Sequence, residues 1–66
     1  MIKTDVLKGE IVKNRMTQKD VAKLIGVTPK TFYDKMSKGV FGSDEIEIMI
    51  DALHISDPIN IFFAKE

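Results

Sequence analysis

The run from Met16 to Gly39, MTQKDVAKLIGVTPKTFYDKMSKG, constrains the chain more than any other stretch, because it spells two short helices joined by a turn with almost no slack. Thr17 stands where a capping hydroxyl accepts from the first turn. Asp20, three residues on, brings a carboxylate to the exposed amides and the positive end of the helix dipole. Val21, Leu24 and Ile25 recur at helical spacing around the small Ala22. Gly26 ends that helix where a left-handed backbone is needed, a conformation glycine adopts without a Cβ clash. Val27 follows as a buried turn residue. Thr28 caps the next helix, and Pro29 suits its first position, since its φ is already helical and its missing amide would have been unpaired. Phe32 and Met36 give this second helix one apolar stripe.

Two helices connected in this way form a helix-turn-helix, whose second helix commonly enters the DNA major groove. The residues Gln18, Ala22, Gly26, Val27 and Phe32 resemble the signature of the phage Cro and lambda-repressor-like (XRE-type) helix-turn-helix family. Their counterparts there are a polar helix start, a small residue at the helix crossing, the turn glycine and two buried apolar residues. The motif covers about residues 17–38, and the flanking helices extend the likeness to nearly the whole chain. The resemblance implies an all-α, compact five-helix DNA-binding domain spanning residues 1–66. It also implies a sequence-specific transcriptional regulator, a Cro-like repressor of a phage or prophage switch that binds double-stranded operator DNA and occludes RNA polymerase without a cofactor. One position departs from the pattern. The family usually has an apolar residue three after the place of Phe32; here that is Lys35, and Met36 comes four after. Either spacing keeps one face, which leaves the rotation of the recognition helix open.

Sixty-six residues allow one domain with a thin core, for which association would add stability. The absence of cysteine excludes disulfides, thiolate metal sites and cysteine nucleophiles, and agrees with a cytoplasmic protein. No apolar run is long enough for a signal peptide or a membrane span. The formal net charge is zero, but its distribution is not even. Residues 1–38 carry nine Lys and Arg against four acids, a net of +5, and residues 39–66 carry Lys65 against six acids, a net of −5. A basic half holding the motif and an acidic half turned away suit a face that meets phosphates in one orientation. A mixture of solvated charges is the plainer alternative.

Before the motif, Thr4 and Asp5 can begin a helix carrying Val6, Leu7, Ile11 and Val12 and ending near Asn14 and Arg15, with Leu7 and Ile11 its core contacts. Gly9 inside it costs about 1 kcal/mol relative to alanine and would permit close approach of another helix. After the motif, Lys38 to Ser43 reads as a glycine-punctuated loop with Val40 and Phe41 tucked beneath it. Ser43 would cap a fourth helix running from Asp44 to about His54. Ile46, Met49, Ile50 and Leu53 form its core stripe, and Ile48, Ala52 and Ile55 lie on a second face. Asp57 and Pro58 open a last short helix, INIFFAKE, anchored by Ile59, Phe62 and Phe63. The expected core is Leu7, Ile11, Val21, Ala22, Leu24, Ile25, Val27, Phe32, Met36, Phe41, Ile46, Met49, Ile50 and Leu53.

The candidate site follows from the motif. Affinity is expected from phosphate contacts by the amide end of the first motif helix with Gln18, and by Lys19, Lys30, Lys35 and Lys38. Four to six neutralised phosphates would give a log–log salt slope of about −4 to −5 per subunit. Specificity is expected from Thr28, Pro29, Lys30, Thr31, Tyr33, Asp34 and Ser37. Lys30 would donate to guanine, Thr31 would contact a thymine methyl, and Asp34 would accept from cytosine or form an ion pair with Lys30 or Lys38. Ile55, Ile59, Phe62 and Phe63 are candidate contacts of a two-fold homodimer, weak alone or assembled on DNA, because one helix reads too few base pairs to select a site. The same apolar surface serves a rival reading, a modulator or antirepressor that binds another repressor. Its Phe62 and Phe63 can also divide, one facing in and one out. Catalysis is not expected: there is one histidine, and the carboxylates mostly lie on polar helix faces. His54 reads as a surface residue near a helix end, with no second histidine or cysteine to complete a metal site.

Overall fold

The computed structural model describes residues 2–63 and folds them into five helices with no strand. These are α1 (Thr4–Lys13), α2 (Gln18–Ile25), α3 (Pro29–Lys38), α4 (Ser43–Ala52) and α5 (Pro58–Phe62). Helix α2 lies at the centre, packed on α1, α3 and α4, while α5 packs on α1. Ala22, without exposed surface, sits among Val21, Ile25, Leu7, Ile11, Phe32, Met36, Met49 and Leu53 in one core. Phe41, from the loop before α4, is buried and meets Phe32 with ring centroids 5.5 Å apart and planes tilted by 57°.

The four longer helices end by one device. Arg15, Gly26, Gly39 and His54 each take a positive φ (59°, 80°, 69° and 52°) just beyond the helix. The following amides then reach back to carbonyls inside it: Met16 to Ile11, Val27 to Ala22, Val40 to Lys35 and Ile55 to Ile50, at 3.0–3.1 Å. This satisfies carbonyls that a helix C-terminus would otherwise leave open. Glycine was legible as the terminator at Gly26. At Arg15 and His54 the same turn is made by residues that carry a Cβ and bear a steric cost there.

The core differs from the expected one at several positions. Leu24 is 47% exposed, because α2 turns it away from α1 and α4; Val27 and Ile50 are half-buried at the core's edge. Ile2, Ile55, Ile61 and Phe62 join the core instead. Phe62 faces in and Phe63 out, one of the two arrangements foreseen, whereas Ile59 is exposed and anchors nothing. Val40 is exposed while its neighbour Phe41 plugs the loop. Helix α1 has Lys3 rather than a side-chain cap at its start, and Gly9 has open space beyond it, so no helix approaches closely there. Helix α4 is capped at Gly42, one residue before Ser43, and ends at Ala52 rather than near His54. The AKE end of the last expected helix lies outside the described residues.

Two contacts that periodicity does not reveal close the fold. The Asn14 side-chain amide donates to the carbonyls of Glu10 (2.8 Å) and Leu53 (3.0 Å), joining the ends of α1 and α4. The Lys3 amide donates to the Ile61 carbonyl at 2.8 Å, joining the N-terminal segment to α5.

Candidate nucleic-acid interface

Local chemistry sets the α2–α3 pair. At the start of α2, the Asp20 amide donates to the Thr17 hydroxyl at 3.1 Å and the Thr17 amide donates to the Asp20 carboxylate at 2.8 Å. This reciprocal pair holds the Asp20 carboxyl below the usual aspartate range, chiefly through the Thr17 backbone amide, then through its side chain. The Thr31 amide donates to the Thr28 hydroxyl at 3.2 Å at the start of α3, with Pro29 in the first turn. The Thr28 hydroxyl also lies 3.0 Å from that of Thr31, so the two hydroxyls are engaged with each other.

Phe32 and Met36 fix the inward face of α3. Thr28, Pro29, Lys30, Thr31, Tyr33, Asp34, Ser37 and Lys38 are all exposed on α3 and its cap, and Lys19 is exposed on α2. Gln18, Tyr33 and Ser37 line one groove of about 380 Å³, together with Thr4 and Lys8 from α1 and the edge of Met36. Thr4 and Lys8 were not expected in the site. Their motif-independent position on α1 carries no local sequence signal, and only the docking of α1 against α2 brings them there.

Two expected assignments change. Lys35 is only part-exposed, and its ammonium donates to Glu45 at 3.0 Å, an ion pair that occupies the group expected to meet a phosphate. It is the only ion pair among the described residues, so Asp34 is not paired with Lys30 or Lys38. Ile55 and Phe62, expected at an interface, are buried within the subunit; Ile59 and Phe63 remain 67% and 59% exposed. Three residues after Phe32 the chain thus places the Lys35 ammonium on the Glu45 carboxylate.

The described residues hold no group of three or more His, Cys, Asp or Glu arranged to ligate a metal, and no helix of the described chain is long and apolar enough to cross a membrane. Comparison with protein-family models, curated proteins and solved structures finds no match to this chain.

Proposed function

We propose that the chain is a sequence-specific DNA-binding transcriptional regulator, a Cro-like repressor in which α2 and α3 form a helix-turn-helix and α3 enters the major groove. The observation that supports this best is the convergence of Gln18, Tyr33 and Ser37 in one groove. These residues come from two helices and had been singled out for different tasks, phosphate contact and base contact. The exposed Lys19, Lys30 and Lys38 surround the same elements and supply the cations such a face requires. Repression follows from occlusion: a bound subunit pair covers the promoter against RNA polymerase.

A gel-shift titration against promoter DNA flanking the chain's own gene tests the reading. Binding should weaken steeply between low and moderate salt, since each phosphate contact releases counterions. Binding that does not weaken over that range would remove DNA from the account. The exposed Ile59 and Phe63 favour a second reading, an antirepressor that binds another repressor through this apolar edge. Adding candidate repressors to the same titration separates the two. An antirepressor releases their DNA, whereas a DNA-binding regulator gives its own shifted band.

A further inference from the structure

Glu45 is the one charged residue buried among the described residues, at 9% exposure, and one of its oxygens takes two donors. The Gly42 amide donates to Oε1 at 2.8 Å, and the Lys35 ammonium donates to the same atom at 3.0 Å. The carboxylate therefore ties the last turn of α3 to the loop and to the first turn of α4. Helices α3 and α4 are not among the closely packed pairs. The other ties at this level are the buried Met36, which shares one core with Phe41 and Ile46, and the Val40 amide, which donates to the Lys35 carbonyl at 3.1 Å; the contact of Phe32 with Phe41 of the loop holds α3 one turn earlier. A near-buried carboxylate is tolerated only with a partner, so the pair favours a narrow set of α3 orientations over any that would separate Lys35 from Glu45.

We infer that Lys35 and Glu45 are positioning residues that, beside the buried Met36, hold the last turn of α3 against the start of α4 and so set how Tyr33, Ser37 and Lys38 are presented, while Lys35 itself contacts no phosphate. The consequence for DNA rests on the proposed function; the positioning itself belongs to the free protein. Tyr33 and Ser37 lie two residues on either side of Lys35, so a displacement of the last turn is felt at both, whereas Lys30 and Thr31 lie a turn away beside the Thr28 cap.

Two measurements test this, both at a temperature where every variant is folded by circular dichroism. In amide NMR spectra of the free protein, Glu45→Gln and Lys35→Met should shift the resonances from Tyr33 to Phe41 and leave Lys30 and Thr31 in place. Lys35→Arg, which keeps a donor for Glu45, should resemble the parent. Spectra in which the α3 amides of Glu45→Gln superpose on the parent would overturn the inference whatever the ligand. In selection from a random duplex library, Lys35→Met and Glu45→Gln should lose at least about fivefold in base preference at the positions read from Tyr33 and Ser37, with recovery in Lys35→Arg. The salt slope of Lys35→Met should equal the parent's, whereas Lys30→Met should lose about one. A Lys35→Met slope reduced like that of Lys30→Met, with preference intact, would make Lys35 a phosphate contact and overturn the inference. No enrichment by the parent would remove the DNA reading, and the NMR comparison alone would then decide whether the pair orients α3.

Discussion

Single residues divide between those that satisfy the backbone and those that strain it. Asn14 satisfies two carbonyls on different helices through one amide group, so Asn14→Ala leaves both without that donor. A loss of about 1–2 kcal/mol is expected in urea unfolding, and a loss below a few tenths would mean that solvent replaces the amide freely. Arg15 works in the opposite sense. Its left-handed backbone carries a Cβ that glycine lacks, and its side chain is exposed. Arg15→Gly should therefore stabilise by about 0.5–1 kcal/mol, against a destabilisation of similar or larger size for Gly26→Ala at the equivalent turn. Melting both variants beside the parent checks the signs. Neither Asn14 nor Arg15 announced its role: asparagine and arginine near a helix end fit many local structures, and only the partner carbonyl or the backbone angle distinguishes them.

At the scale of the element, α2 and α3 were the most legible part of the chain because their caps, stop and apolar stripe agree with one another. Thr17, Gly26, Thr28 and Pro29 each occupy the place their chemistry indicated. The less legible elements were those decided by what packs on them. Helix α4 is apolar on two faces, so periodicity could not say that Ile55 closes the core while Ile48 stays open. Leu24 obeyed the spacing and is still exposed, because the eight-residue helix α2 buries the stripe of Val21, Ala22 and Ile25 and leaves Leu24 beside it. The pairing of Lys35 with Glu45 was invisible for a related reason, since it joins residues ten apart across a loop. The start of α2 also gives a pH dependence. The Asp20 carboxyl is held low in the folded state, so its capping contribution is complete above the unfolded aspartate value of about 3.9 and is lost as pH falls through the lower folded value. The difference in Tm between the parent and Asp20→Asn should be present at pH 7 and close below about pH 4. A difference that persists unchanged in acid would show that the charge of Asp20 does not matter. For α3, Lys30→Ala and Thr31→Ala should change preference among operator variants by about 1–3 kcal/mol per lost base contact. Equal weakening on every sequence would make both backbone contacts.

The molecule is 29 × 22 × 20 Å across, and under the proposed function one helix of so small a body would read only a few base pairs. On that reading a two-fold pair on the operator is expected, and of the four candidate contacts only Ile59 and Phe63 are exposed to make it. Phe63→Ala should reduce the two-subunit complex on a full operator in sedimentation while leaving the fold intact, since the ring supports no part of the core. One subunit per operator at saturation, with Phe63→Ala binding unchanged, would sink the dimer. The bond from the Lys3 amide to the Ile61 carbonyl bears on how the molecule is made. It ties a segment made before the first of the five helices to one made within the fifth. At about 5–20 residues per second, roughly 3 to 12 s separate their emergence from the ribosome. During that interval α2 and α3, linked by short-range contacts, can already pair, while α1 waits with Leu7 and Ile11 unsealed by α5. A nascent stage is therefore expected in which the α2–α3 pair is formed while α1, made before it, still lacks the cover of α5 and stays open to chaperones and proteases.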